Sequence, residues 1–285
     1  QKIVVLGSFS GLNMGDTLIL RELIVWLESL SPDFDIIIPT KNPGPIFEDV
    51  LAAVLAQDAP HALEVLVIDS GSNDGTVDHV HALRDARVRL HEIDAGSFGH
   101  GRTRNLGVSL TEGDYCVFLT HDALPVDRTW LRRLLAPAEA NPQVAGVFGR
   151  HVAYPDHSPF TARELRDHFD GFRAYPVVDR TSDPTRYAND VGWRQFLHFF
   201  SDNNALIRRR AWRDIPYPDV EFAEDQIWAD RIIAAGWQKA FAPDATVYHS
   251  HDYTLLERLQ RSFDEALALR RLFGYRLAPS LPLAL

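Results

Sequence analysis

Cysteine is nearly absent from this chain. Cys116 is the only one in 285 residues, which excludes a disulfide framework and a thiolate zinc centre. It sits in an apolar run and reads as a small core residue. No apolar stretch reaches the roughly 18 residues needed to cross a bilayer. A basic excess is missing too: 29 Lys and Arg face 39 Asp and Glu, for a net charge of −10. A protein that coats nucleic acid needs the opposite balance, so nucleic acid is not an expected partner. No internal repeat or low-complexity segment stands out. Methionine occurs once, at Met14, and the chain opens on Gln1. We therefore expect a piece or processed form of a longer protein. No basic segment followed by an apolar one marks a signal peptide.

What is present is the composition of a folded protein, 46% hydrophobic and 24% charged, with ample length for a buried core. Short apolar runs at 34–38 (FDIII), 64–68 (EVLVI), 87–93 and 114–119 (DYCVFL) read as buried strands. Segments 45–57, 74–84, 101–111 and 127–140 read as helices; in the first, Ile46, Val50, Val54 and Leu55 recur near helical spacing. This alternation predicts an α/β fold with a mostly parallel sheet covered on both faces. Residues 2–6 predict one more strand and 17–30 one more helix, with a Gly-rich loop between them. From about 150 to 200 the rhythm changes to Pro, Arg, Asp and aromatics, with helical pieces. A strand at 204–208, a helix at 224–235, strands near 239–248 and a helix at 254–273 follow.

Ligands of open α/β sheets bind outside the carboxyl ends of the strands. Three buried runs end in polar residues here: Pro39-Thr40-Lys41-Asn42, Asp69 through Thr76, and Thr120-His121-Asp122. Together they suggest one crevice. Taken singly, Asp69 could be a helix cap and Asp74-Gly75-Thr76 ordinary turn chemistry.

These runs carry a resemblance. FDIIIPTKNPG at 34–44, EVLVIDSGSNDGT at 64–76 and DYCVFLTHDALP at 114–125 resemble family-2 glycosyltransferases of GT-A (Rossmann-like) fold. FGHGRTRNLG at 98–107, AEDQIWADRI at 223–232 and VYHSHDYT at 247–254 are most similar to the bacterial rhamnosyltransferase branch. The resemblance implies a transferase domain over 33–275, its nucleotide-binding half at 33–150 and its acceptor half at 151–275, with a tail at 276–285. Residues 1–32 stand apart as a βα extension, a junction or fragment of another domain. GSFSGLNMGDTLIL within them resembles the start of polysaccharide pyruvyl transferases.

The resemblance also implies roles. Pro39, Thr40, Asp69 and Asp74 would hold the nucleoside. His100, Arg102 and Arg104, in a Gly-rich helix start, would meet the diphosphate, as would His121. Mg²⁺ or Mn²⁺ would be bound by Asp122 with His249, or its rival His251. Thr120 replaces the first acid of the family's DxD motif, which leaves metal affinity open. Asp225 would be the base that takes the acceptor proton, with Glu224 beside it; as a bare pattern, two acids opening a helix also suit its dipole. Asp202-Asn203-Asn204 would lie near the donor sugar. The implied reaction is inverting transfer of a sugar, L-rhamnose from its dTDP form, to a glycan or lipid-linked glycan on the bacterial surface. Its donors would be dTDP- or UDP-sugars. Its place would be the cytoplasm, with peripheral contact at the inner face of the membrane. The last helix sets Arg258, Arg261, Arg270 and Arg271 beside Leu255, Leu256, Leu259 and Phe263. That suits a membrane surface, but the expected arrangement is a helix packed on the domain. A sugar-nucleotide nucleotidyltransferase and an inactive nucleotide-sugar or glycan-binding module stay open as alternatives.

Overall fold

The computed structural model describes residues 34–58 and 63–275. The readings of strand 2–6, helix 17–30 and tail 276–285 lie outside the described residues. One sheet organises the rest. Its strands are β1 (Phe34–Thr40), β2 (Glu64–Asp69), β3 (Val88–Glu92), β4 (Tyr115–Leu119), β5 (Leu124–Pro125), β6 (Val144–Val152), β7 (Val177–Val178), β8 (Asn204–Arg208) and β9 (Gln238–Tyr248). They lie in the order β3-β2-β1-β4-β8-β6-β9-β5, with β7 also on β9. The sheet is mostly parallel, as the alternation predicts. Only β8 and the two-residue β5 and β7 run against the others.

The continuous apolar runs follow from burial on both faces. Side chains alternate along a strand. Ile36 and Ile38 therefore join one core layer and Ile37 the other. The first layer is covered by α1 (Ile46–Leu55), α2 (Thr76–Leu83) and α4 (Trp130–Ala140). The second is covered by α3 (His100–Ser109), α5 (Pro159–Asp170), α8 (Arg209–Asp214) and α9 (Glu224–Ala234). Cys116 is buried in that second layer, and burial pushes its thiol up to about 12, so it is an inert core residue.

Strand β6 was not anticipated. Its signal was the run VAGVF after Asn141-Pro142, which an isolated reading passes over because Gly146 interrupts it and Gly149 follows it. The aromatic stretch 155–200 forms α5, α6 (Pro184–Asn189) and α7 (Val191–His198). The expectation of a packed last helix holds only for part of α10 (Leu255–Phe273). Leu269 is buried, but Leu255, Leu256, Leu259 and Phe263 stand 61–76% exposed. The helix meets the domain through Arg258, which pairs with Glu164 and donates to Thr161, and through Leu269 in its later turns, and it leaves its opening apolar face uncovered.

Candidate active site

The polar strand ends gather on one edge of the sheet. β1 and β2 are in parallel register up to the pair Thr40–Asp69, so their following loops emerge side by side. Asp69 is fully buried. Its Oδ1 accepts from Gly71 N (2.9 Å) and Ser72 N (2.8 Å), and its Oδ2 from the hydroxyls of Ser72 (2.5 Å) and Thr40 (3.1 Å). Burial alone would raise its pKa, but these hydrogen bonds outweigh it and hold the carboxyl below the usual range. Lys41 crosses to donate to Ser70 O and Gly71 O. Asp69 thus spends its oxygens on shaping the loop.

A cavity of about 110 Å³ opens beside this loop, lined by Pro39, Thr40, Lys41, Phe98, His100, Arg104, Thr120 and His121. Five of the residues expected at the nucleotide meet there. Asp74 does not join them. It accepts from Gly44 N and from the amide and hydroxyl of Thr76, and it lines a different cavity. That is the turn chemistry its sequence allows. Arg102 is likewise turned outward, onto the exposed Asp219.

Past β4, Thr120-His121-Asp122 continue along the same edge. Thr120 Oγ1 is buried without a hydrogen-bond partner among the described residues. Asp122 meets two imidazoles from just beyond β9. His249 Nε2 is 3.6 Å from Oδ1 and His251 Nε2 is 3.5 Å from Oδ2. One ligand atom from each lies within 4.8 Å of the others. Burial drives His249 down to about 4, against the pull of Asp122, so its imidazole is neutral at physiological pH, the form that binds metals. Two imidazole nitrogens and a carboxylate oxygen form a donor set that fits a divalent cation, Mn²⁺ more readily than Mg²⁺. His249 and His251 are both in the set rather than rivals. They also line a larger cavity, about 580 Å³, with His151, Phe169, Phe199, Asn203 and α10 residues Arg258 and Arg261.

The third cluster surrounds the first turn of α9. Arg104, 6% exposed, puts Nη1 2.5 Å from Glu224 Oε1 and Nε 3.0 Å from Asp202 Oδ2. Asp202 Oδ1 accepts from Tyr217 OH at 2.8 Å. Among the described residues Asp225 Oδ1 accepts only from the neighbouring Gln226 N, at 2.8 Å. Three carboxylates therefore face one guanidinium. Burial first, then the charges of Asp202 and Glu224, hold Asp225 well above the ordinary carboxyl range, with Arg104 acting the other way. Burial likewise pushes Asp202 up to about 7. A carboxyl raised in this way is a stronger base than one in water.

Arg104 was expected at a diphosphate; its guanidinium is committed to these acids, although the residue still borders the small cavity. Asp202, expected near the donor sugar, is instead buried against Arg104 and Tyr217. Asn203 borders the large cavity, whereas Asn204 is a fully buried tie: it accepts from Trp130 Nε1 and donates to Ala245 O.

Comparison with known proteins identifies the family and the fold. The family model described as glycosyl transferase family 2 matches residues 35–215. The O-antigen chain rhamnosyltransferase RfbN of Salmonella typhimurium is 32% identical over 232 residues, covering 80% of this chain and 70% of that protein. The N-acetylglucosaminyl-diphospho-decaprenol L-rhamnosyltransferase of Mycobacterium tuberculosis is 30% identical over 236 residues, covering 74% and 73%. Among solved structures, the mannosyltransferase PcManGT of Pyrobaculum calidifontis, in complex with GDP-Man and Mn²⁺, matches with a TM-score of 0.64 at 21% identity. That match covers 92% of this chain and 73% of that one, and it bears on the fold.

Proposed function

Since the chain belongs to glycosyl transferase family 2, we propose that it is an inverting, metal-dependent enzyme that moves a sugar from a nucleotide diphosphate to a hydroxyl of a bacterial surface glycan. Two observations support this reading: a metal-type triad, Asp122, His249 and His251, beyond the ends of β4 and β9, and a half-buried carboxyl of raised pKa, Asp225, in the first turn of α9. Asp122, His249 and His251 would hold Mg²⁺ or Mn²⁺, which when bound neutralises the charge gathering on a leaving diphosphate. Pro39, Thr40 and the loop shaped by Asp69 border the space for the nucleoside, with His100 and His121 across from them. Asp225 takes the acceptor proton as its oxygen attacks the anomeric carbon. A single displacement with one base inverts that carbon.

The names of the relatives support L-rhamnose carried on dTDP as the sugar. The second of those names also supports a lipid-linked acceptor. The uncovered opening turns of α10, beside the large cavity, support peripheral contact with the membrane that would carry such an acceptor. Among the described residues no helix is long and apolar enough to cross a membrane.

The test pairs binding with turnover. dTDP and UDP are titrated into the wild type and Asp225→Asn, with and without Mn²⁺, and transfer from dTDP-rhamnose is followed. Nucleotide binding should survive the substitution while transfer falls by about 10²–10⁴-fold, the usual contribution of a general base. Undiminished transfer by Asp225→Asn would remove the assigned base. Nucleotide binding without any transfer by the wild type would leave only a binding module.

A further inference from the structure

We propose that Asp202 is a positioning residue for proton acceptance at Asp225, acting through Arg104 and Tyr217, and so sets the pH range in which the enzyme works. The proposal rests on the reading of Asp225 as the base.

Asp225 is poorly held by its own contacts. Among the described residues its one hydrogen bond comes from the adjacent amide, so its direction is fixed by where the first turn of α9 sits. That turn begins under backbone strain. Ala223, which precedes Glu224, adopts a left-handed conformation with φ 58°, rare for a residue with a side chain. Something must hold it, and the buried contacts around it identify what does. Arg104 grips Glu224 at one end and Asp202 at the other. Asp202, 1% exposed, is fixed in turn by the Tyr217 hydroxyl. Tyr217 is clamped between Trp228 of α9, stacked at 5.3 Å, and the edge of Phe118 of β4, at 5.7 Å. Trp228 itself donates to Ile215 O. Asp202 is therefore the buried joint between the sheet, α3 and the helix that bears the base.

Its charge matters as well as its position. The groups acting on Asp225 are Arg104 from α3, Asp202 before β8, Tyr217 from the preceding loop and Glu224 beside it, while His100 of α3 acts on Glu224 and Arg104. Arg104 is the one permanently positive group among them. Asp202 is buried from solvent and is the charge that most discourages ionisation of Asp225. Removing that charge while keeping the shape should leave Asp225 a weaker base that ionises at lower pH. A residue that only braced the fold would change how much active protein survives, and would leave the pH range alone.

The experiment compares wild type, Asp202→Asn and Tyr217→Phe, with Asp225→Asn for assignment. Two readouts are taken. One is carboxyl ¹³C NMR titration of Asp-labelled protein. The other is the pH profile of transfer from dTDP-rhamnose. In Asp202→Asn the Asp225 resonance and the acid limb of the profile should both move down by about one pH unit, within the range that a neighbouring charge commands. On the plateau above that limb its kcat should fall about threefold or more, while the Kd for dTDP with Mn²⁺ stays the same. Tyr217→Phe keeps the Asp202 carboxyl but removes a donor to its ionised form. Asp202 then holds its proton more tightly, so the Asp225 shift should have the same sign and be smaller. Tyr217→Phe also provides the answer if Asp202→Asn does not fold. Folded variants whose Asp225 titration matches the wild type overturn the proposal. The base assignment fails separately, if Asp225→Asn transfers sugar at the wild-type rate.

Discussion

His249 Nε2 stands 3.6 Å from Asp122 Oδ1, although the two residues are separated by most of the sheet in chain order: Asp122 follows β4 and His249 follows β9. Antiparallel pairing of β5 with β9, Leu124 opposite Tyr248, draws the two strand ends together. The metal-type site is a consequence of that short pairing.

Loss of His249 should therefore cost cation affinity directly. We expect His249→Ala to weaken Mn²⁺ binding by about tenfold or more, the scale on which even supporting residues of metal sites act. His251 is exposed and its imidazole is held by fewer neighbours, so His251→Ala should cost less. Calorimetric titration with Mn²⁺ in the presence of dTDP measures both. Equal affinity in wild type and His249→Ala would show that the triad does not bind the ion.

The buried acid cluster predicts an unusual pH dependence of stability. Asp202 ionises near 7 in the folded protein and near the ordinary 3.8 when unfolded. Between those values the folded state binds more protons, so stability from this group rises as pH falls from about 7 toward 4. Above 7 the penalty is fully present. Its ceiling is about 4 kcal/mol, from three units at 1.36 kcal/mol each. Urea midpoints from pH 8 to 5 should thus climb more for the wild type than for Asp202→Asn. Parallel curves would mean that Asp202 ionises normally.

Much of this was legible in the chain, for physical reasons that differ between elements. FDIII and EVLVI are buried on both faces, and a strand in that position has to be continuously apolar. The loop FGHGRTRNLG was readable because its glycines answer to close packing. A Cβ on Gly107 would lie 2.6 Å from Ile37 Cγ2. Asp122, Asp225 and His249 stood out as candidates through family likeness. Asp202 stood out only as a neighbour of the donor sugar; its place beside Arg104 was not legible, because burial creates it and spacing in the chain carries no trace of that. Nor was the fate of Arg104. A guanidinium in a Gly-rich turn looks like an anion site, and only the fold reveals that two carboxylates already occupy it. β6 escaped for the opposite reason, since Gly146 and Gly149 weaken a strand signal that the packing of Trp228 and Phe200 against Gly146 requires.

Asp69 is expected to act through loop shape. Asp69→Asn replaces one acceptor oxygen with a donor where Ser72 and Thr40 or the amides of Gly71 and Ser72 need to be received. Loss of charged-acceptor hydrogen bonds of this kind costs about 1.5–3 kcal/mol. The sign with pH also follows. The carboxyl is held below its unfolded value, so its contribution is complete above about 4 and fades as pH falls through the lowered pKa. Chemical denaturation at pH 7 and pH 3 should show a gap between wild type and Asp69→Asn at pH 7 that narrows at pH 3. A constant gap would mean that ionisation of Asp69 plays no part.

Gly101 offers the sharpest packing test. A Cβ there would fall 2.0 Å from Pro218 O, a backbone atom that cannot step aside without moving its loop. That loop carries Tyr217, which holds Asp202, and α3 carries Arg104, which holds Glu224. Gly101→Ala should force the two apart, costing about 1–3 kcal/mol as overpacking does. Activity should fall further than this loss of stability explains, because the first turn of α9 shifts with the loop. Gly96→Ala is the matched comparison. Nothing lies within 4 Å of its added Cβ, so stability should stay within about 0.5 kcal/mol of wild type. Thermal unfolding and transfer rates on both variants decide the matter. If Gly101→Ala is as stable and active as Gly96→Ala, the close contact between α3 and the 217–219 loop is not what positions the base.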